Sequence, residues 1–344
     1  MCSNNSFFIE KKRVLCYIFH CRWGKIVEKD YLNLDLIAKE CNLLDESDVN
    51  SVIQKIQALD EVYERCNLVK IYNYFLSVCK NPEILMNIIQ CMDRIRDNEF
   101  LGPLLDLLLM KNIETEKDSF INVRAMCAKA IANLKDTSAV TPLLYCLNNK
   151  DENYKVRLAC ADALGRIGDR YAVAPLIEVV KDEDEKSVYL RETAASALGM
   201  LGDLRAVDPL VSILETQKGI WNKFTFLKER VIEALGKLRL DDNERVFNAL
   251  KNSLMDESPQ IRINAIEAIM DSENPQAVDT IKTCLLEDEN EEVKKNALIA
   301  LYNLVGREIL DEVANGSNYP DTLKLEAVSM ISEYEDEKDD SEDE

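Results

Sequence analysis

A repeated pattern of small, apolar and basic residues constrains the fold of this chain more than any other feature. Its clearest copy is the segment 156–180, VRLACADALGRIGDRYAVAPLIEVV. An alanine-led triplet recurs at intervals of 32 to 37 residues, beginning at Ala130, Ala163, Ala197, Ala234, Ala268 and Ala300. Periods of this length are typical of stacked helical hairpins, because one hairpin cannot bury its apolar face alone.

The same repeats predict where one helix ends and the next begins. An aspartate precedes a proline by six residues in four repeats, as Asp97 and Pro103, Asp136 and Pro142, Asp169 and Pro175, and Asp203 and Pro209. Proline is tolerated in the first turn of a helix, where its missing N–H costs little. The G-x-x-G-D segment at 165–169 therefore predicts a helix end, a turn and a second helix.

This pattern predicts an all-α fold, an α-α superhelix of about seven to eight helical hairpins. The repeats span residues 81–334, with a first, degenerate unit that begins near Pro82. Residues 1–80 are predicted to form a separate N-terminal helical domain. Residues 335–344 form an acidic tail, for which the charge density and the lack of apolar residues predict disorder.

Roughly 65 of the N-terminal 80 residues resemble a winged helix in the order of their elements. An apolar run at 14–21 and an extended piece at 25–31 precede predicted helices at 33–41 and 48–59 and a small hairpin within 60–74. Two uses stay open, DNA binding by residues 1–80 or protein contact and capping of the solenoid. Asp45, Glu46 and Asp48 oppose a phosphate backbone, which favours the second use.

A metal site in this region is a weaker interpretation than packing. Cys16, His20 and Cys21 lie close in sequence, and positions i and i+4 share a helix face. A structural zinc site needs four ligands, however, and His20 is the only histidine of the chain. We therefore predict no metal and no cofactor.

The charge of the chain indicates what kind of partner it can bind. The formal net charge is -21, and residues 81–332 carry 30 basic and 43 acidic groups. Such a field disfavours nucleic acid as a partner of the solenoid and favours a protein with a basic surface. The start of the sequence lacks a signal-peptide pattern and no apolar run is long enough for a membrane, so we expect a cytoplasmic protein with reduced, packed cysteines.

The repeats resemble HEAT-like repeats of the phycobilisome-lyase type, whose pattern is V-R-x-x-A-A-x-A-L-G-x-I-G-D followed by A-V-x-P-L. The resemblance covers about 250 residues and is strongest from Val156 to Leu214. It implies that a basic residue six positions before each alanine pairs with an acid of a neighbouring turn, here among Asp151, Asp182, Asp184, Asp256 and Asp288. The basic column comprises Arg124, Arg157, Arg191, Lys228, Arg262 and Lys294. We interpret it as a structural ion ladder; a ligand-binding stripe is the alternative.

Arrays of this kind bind partners on the concave face, lined by the second helix of each unit. Two columns should look outward there, and they comprise Asp162, Ser196, Glu233, Glu267 and Ile299, and Arg166, Met200, Lys237, Asp271 and Asn303. A lengthened unit contains an aromatic insertion with Trp221, Phe224 and Phe226. These aromatic residues are either interface anchors or a plug over the longer gap between helices. We select Asp162, Arg166, Met200, Lys237 and the three aromatic residues as candidate partner-binding residues.

HEAT-like repeats also occur in enzymes. The deoxyhypusine hydroxylases hold iron with repeated His-Glu pairs, and the single histidine of this chain, His20, is followed by Cys21. No column converges on a nucleophile, a base or a metal set. We therefore predict a non-enzymatic protein–protein interaction scaffold or adaptor that binds its partner on the concave face. Two alternatives are a bilin lyase-like or chromophore-handling factor and a DNA-associated regulator that uses residues 1–80.

Overall fold

The chain is all-helical in the part that its computed structural model describes, residues 32–44, 47–110, 118–182, 184–185, 187–215, 225–238, 244–272 and 274–342. These residues form eighteen α-helices and four single-turn 3-10 helices, and no strand occurs among them. The predicted all-α fold is therefore confirmed. The chain divides into two compact units, Met1–Ile167 and Gly168–Glu344.

The helices alternate between long and short along most of the chain. Those of the first unit are α1 (Leu34–Glu40), α2 (Val49–Val62), α3 (Arg65–Val78), α4 (Pro82–Ile95), α5 (Leu101–Leu109), α6 (Asp118–Leu134), α7 (Val140–Asn148) and α8 (Tyr154–Ile167). Those of the second are α9 (Val173–Lys181), α10 (Val188–Leu201), α11 (Val207–Glu215), α12 (Thr225–Lys237), α13 (Glu244–Ser253), α14 (Pro259–Met270), α15 (Ala277–Glu287), α16 (Glu291–Val305), α17 (Glu308–Asn315) and α18 (Asp321–Glu342).

The segment predicted to contain a hairpin, residues 60–74, is helical. α2 continues to Val62 and α3 begins at Arg65. Leu68, Tyr72 and Phe75 are all buried on one side of α3. Valine, isoleucine and tyrosine favour strands, but the buried side chains of this segment recur every three to four residues, which is the spacing of a helix. The predicted wing over 60–74 is therefore wrong, and the segments 14–21 and 25–31 lie outside the described residues.

Four aspartates close the turn between a long helix and a short one in the same way. Each carboxylate accepts a hydrogen bond from the backbone N–H two residues later at 2.9 to 3.1 Å, in Asp97, Asp136, Asp169 and Asp203. A 3-10 turn follows, and then a nine-residue helix whose third residue is the proline. Gly168 adopts the left-handed conformation at φ 86° just before its aspartate, which glycine does without steric cost.

Long helices of successive repeats pack directly on one another within each unit. α6 packs on α8 in the first unit, and α10, α12, α14 and α16 pack in sequence in the second. Small residues allow this approach: a Cβ on Gly199 would lie 2.8 Å from the Cα of Ala234. The stacking also explains why alanine and glycine recur at one position of the repeat.

The last helix, α18, extends to Glu342 and so enters the acidic segment for which the sequence predicts disorder. The disorder of that tail stays a prediction. Glutamate and lysine have high helix propensity, and neither glycine nor proline interrupts the helix. In the described ranges, no helix combines the length and the apolar character that crossing a membrane requires.

Candidate partner-binding site

The basic column forms ion pairs that connect successive repeats. Arg124 on α6 is 3% exposed, and its guanidinium donates to both carboxylate oxygens of Glu152 at 3.0 and 2.8 Å. It also donates to the carbonyl oxygen of Leu108 at 2.8 Å. Glu152 lies in the turn before α8, so this bidentate pair links one repeat to the next. The sequence expectation named Asp151 here; Asp151 is exposed, and the adjacent Glu152 makes the pair.

The second unit repeats this geometry twice. Nζ of Lys228 donates to Asp256 at 2.7 Å, and the guanidinium of Arg262 donates to both oxygens of Asp288 at 2.7 and 2.9 Å. Burial acts to raise the pKa of Asp288. The hydrogen bonds from Arg262 and from the backbone N–H of Asn290, together with the positive charges of Arg262 and Lys294, outweigh burial and hold that pKa below its usual value. Each acid stands 26 or 28 residues after its base, in the turn before the next long helix.

The other members of the basic column are also enclosed. Nε of Arg157, which is 5% exposed, donates to the carbonyl oxygen of Leu147 at 2.9 Å. Arg191 is 2% exposed, and Lys294 is half-buried with its charge near Asp288. Side chains that are enclosed in this way are poorly placed to contact a partner protein.

A different surface of the long helices carries exposed and half-buried side chains, with the buried Glu229 among them. We define the long-helix face of the second unit as Tyr189, Glu192, Ser196 and Met200 of α10, Phe226, Glu229, Glu233 and Lys237 of α12, and Glu267 and Asp271 of α14. Met200 is 40% exposed, Phe226 is 67% exposed and Lys237 is exposed. The structure thus brings three predicted residues to one face, whereas Trp221 and Phe224 lie outside the described residues.

Two predicted residues belong to the first unit and interact with each other. Arg166 and Asp162, four residues apart on α8, form an ion pair at 3.8 Å. Arg166 also donates a hydrogen bond to the side-chain oxygen of Asn133 on α6. The charges on this part of α8 are therefore largely balanced within the unit.

Carboxylates gather on the long-helix face of the second unit. Burial raises the pKa of Glu192, Glu229 and Glu267 above the usual value for glutamate. The negative charges of Glu233 and Glu192 raise the pKa of Glu229 further, although the nearby Arg230 opposes them. These groups are close enough to repel one another, so the face has an acidic centre.

Two exposed aromatic side chains border this acidic centre. Tyr189 and Phe226 are each 67% exposed. They stand three residues before Glu192 and Glu229 on α10 and α12, two helices that pack side by side. Residues three apart on a helix are neighbours on its surface, so each ring lies beside a carboxylate.

Glu192, Glu229 and Tyr189 were not among the residues selected from the sequence. Glu192 and Glu229 stand four residues before Ser196 and Glu233, which the sequence did place on the outward columns. Extending each column by one helical turn would have found them, because positions i and i+4 share a face. No sequence pattern indicates that Glu229 is buried, because its burial depends on the packing of neighbouring helices.

The comparison with protein families identifies the architecture. HEAT repeats match residues 113–188, 149–221 and 225–303, which together cover more than half of the chain. The chain belongs to the HEAT repeat family. The predicted α-α superhelix of HEAT-like repeats is thereby confirmed.

Several solved structures are similar to this HEAT repeat protein in fold. The complex of CpcE and CpcF of phycocyanin lyase from Nostoc sp. PCC7120 is 22% identical, with 68% of this chain and 87% of that chain covered and a TM-score of 0.43. Human deoxyhypusine hydroxylase in complex with glycerol is 16% identical, with 78% and 94% covered and a TM-score of 0.31. The archaeal HEAT-like repeats protein from Thermococcus onnurineus NA1 is 18% identical, with 67% and 94% covered and a TM-score of 0.38. No curated protein matches the sequence.

The described ranges hold no group of three or more histidine, cysteine, aspartate or glutamate side chains that could bind a metal ion. The residues weighed as metal ligands from the sequence, Cys16, His20 and Cys21, lie outside those ranges. The long-helix face, with its carboxylates and aromatic rings, can supply ion pairs, hydrogen bonds and apolar contacts to a bound molecule.

Proposed function

We propose that this HEAT repeat protein is a non-enzymatic interaction scaffold that binds a partner protein along the long-helix face of its second unit. The observation that carries the proposal is the row of outward side chains on α10, α12 and α14. Its members range from apolar, such as Met200, to charged, such as Glu233 and Lys237. Variation at exposed positions over an unvarying stack is what a recognition surface in a repeat array requires.

The charge of this face supports a partner with a basic surface. Glu192, Glu229, Glu233 and Glu267 lie on it together with the exposed Asp271. Complementary charge guides a basic partner towards such a face and disfavours an acidic one. The formal net charge of -21 acts in the same direction at longer range.

Site-specific photo-cross-linking tests the proposal. A benzophenone amino acid in place of Met200, which is 40% exposed on the long-helix face, should yield a covalent adduct with a partner protein in native lysate. The matched control is the same amino acid in place of Tyr171, which is 82% exposed in a turn outside the face. Adducts of equal yield from both positions, or from Tyr171 alone, would refute the proposal.

The aromatic insertion remains a second contact region in this proposal. Phe226 is exposed on the long-helix face, which supports an anchor role for that ring. Trp221→Ala and Phe224→Ala variants should lose part of the partner yield in affinity capture if the insertion contributes. Unchanged partners and yields would remove those two residues from the interface.

The two alternative functions stay predictions with direct assays. Mixing the protein with pigment and acceptor should give no covalent colour in visible absorbance if it is a scaffold and not a bilin lyase-like factor. A gel-shift series at low salt tests the DNA-associated alternative, for which residues 1–80 in the full chain would have to bind DNA. The helix found in place of the predicted wing supports protein contact over DNA contact for that region.

A further inference from the structure

Glu229 is a buried acid that has no internal partner in the described part of the chain. The residue is 7% exposed, and neither a hydrogen bond nor an ion pair with described residues reaches its carboxylate. Its neighbour in sequence, Arg230, donates instead to both oxygens of Glu233 at 3.1 and 2.8 Å. A largely buried carboxylate that no cation contacts is costly, so its presence favours the binding of a cation that the described residues do not supply.

The surroundings of Glu229 increase the need for that cation. Glu192 and Glu233 are close enough to raise the pKa of Glu229, and Arg230, whose positive charge opposes them, forms its ion pair with Glu233 at 2.8 Å. Three carboxylates and two guanidinium groups, Arg230 and the buried Arg191 beside Glu192, leave a net negative charge at the centre of the long-helix face. The cation of the ladder residue one position before Glu229, Lys228, is also engaged, at 2.7 Å from Asp256.

The exposed rings beside the carboxylates indicate which kind of cation fits this site. Tyr189 and Phe226 are each 67% exposed and stand one helical turn before Glu192 and Glu229. An aromatic face attracts a cation. A guanidinium can lie against such a face while its planar edge binds a carboxylate through two hydrogen bonds. The guanidinium is also less strongly hydrated than an ammonium group, so it enters a partly buried site more readily.

We propose that Glu229 and Glu192 bind the guanidinium of an arginine in a segment of the partner protein, with Tyr189 and Phe226 against that segment. This proposal rests on the proposed function, because it names the chemistry of the partner at the same face. A second copy of this chain is a poor occupant, since each copy carries a formal net charge of -21. Charge complementarity favours a basic segment of a different protein.

Fluorescence anisotropy with the full chain tests the proposal. The probe is a labelled nonapeptide of glycine and serine with three arginines, and its matched ligand carries citrulline, the neutral isostere of arginine, at the same three positions. At about 150 mM salt, where distant charges are screened, we expect the citrulline peptide to bind at least about tenfold more weakly. Equal affinity for the two peptides, or no binding of the arginine peptide, would overturn the proposal.

Variants separate the site from the general acidity of the chain. Glu229→Gln should weaken binding of the arginine peptide about tenfold or more, because it removes the buried end of the ion pair. Glu178→Gln removes the same charge from an exposed position on α9 and should change the affinity less than twofold. Equal losses in the two variants would show that only the overall field attracts the peptide.

Two further readouts keep the result interpretable. Because Glu229→Gln relieves an uncompensated buried charge, the melting temperature of the free variant at pH 7 should rise, so weaker binding cannot come from unfolding. If cross-linking from position 200 persists in Glu229→Gln while the arginine and citrulline peptides bind equally, the scaffold function stands and the arginine site fails. If the arginine peptide binds as expected but no adduct forms at position 200, the proposed function fails instead.

Discussion

The pair between Arg124 and Glu152 gives the sharpest test of how the repeats are held together. Both side chains are 3 to 4% exposed, and two hydrogen bonds of 3.0 and 2.8 Å join them. Replacing Arg124 by methionine keeps most of the volume but leaves the Glu152 charge buried without its partner. Removing one member of a buried ion pair costs about 3–5 kcal/mol, so Arg124→Met should lose that much stability.

An exposed pair in the second unit provides the control. Arg245 contacts Asp208 at 2.6 Å and Glu215 at 3.1 Å, and the three side chains are 48 to 79% exposed. Solvent screens such pairs, so Arg245→Met should cost about 0–1 kcal/mol. The double variant Arg124→Met/Glu152→Met should be more stable than Arg124→Met alone. It should stay about 1–3 kcal/mol below the wild type, because the Leu108 carbonyl loses its donor.

Urea unfolding followed by circular dichroism gives the free energies, and hydrogen exchange with mass spectrometry locates the loss. Repeat arrays open locally, so Arg124→Met should speed exchange in α6 and α8 before it affects α16. The reasoning is refuted if Arg124→Met and Arg245→Met lose the same small amount. The reasoning is also refuted if the stability lost in Arg124→Met/Glu152→Met equals the sum of the losses in Arg124→Met and Glu152→Met, because additivity means that the two side chains do not couple.

Three further predictions concern packing, thiol reactivity and acid stability. Gly199→Ala should lose about 1–3 kcal/mol in urea unfolding because its Cβ would overlap Ala234, whereas Gly102→Ala, with no atom within 4 Å, should gain up to about 1 kcal/mol. Iodoacetamide should modify the exposed Cys66 in the native chain but Cys127 only after unfolding, since burial raises the pKa of the Cys127 thiol, and peptide mapping distinguishes the two. The stability that ionised Asp288 contributes is present above its unfolded pKa and is lost as the pH falls through its lowered folded pKa. Asp288→Asn should therefore reduce the fall in melting temperature below about pH 4, and an unchanged slope would contradict this.

The repeats could be predicted because spacing alone determines them. Asp169 and Pro175 stand six residues apart, and the structure places the aspartate at the cap of the 3-10 turn and the proline in the first turn of α9. Neither position depends on a distant contact. The alanine slot is similar, since only a small residue fits where two long helices approach as closely as they do at Gly199.

Predictions that depended on side-chain direction or on mixed propensity were less secure. Asp151 and Glu152 are adjacent acids in one turn, and composition does not decide which of them points towards Arg124. Residues 60–74 combine strand-favouring residues with helical spacing, and packing of α3 on α4 selects the helix. The isolation of Glu229 could not be predicted at all, because it depends on Arg230 turning to Glu233 and on Lys228 reaching Asp256.

The contrast between Asp288 and Glu229 separates charges that build the stack from charges that serve recognition. Both are acids enclosed by neighbouring helices, yet Arg262 meets Asp288 at 2.7 Å and no described cation meets Glu229. The pKa values shift in opposite directions for that reason. Burial raises both, and it is outweighed at Asp288, which accepts hydrogen bonds from Arg262 and Asn290, but not at Glu229, where Arg230 acts only through its charge. A carboxylate that destabilises the free chain is retained more readily where a partner neutralises it. For this reason Glu229, and not the more regular basic column, is the residue whose removal should strengthen the fold while it weakens binding.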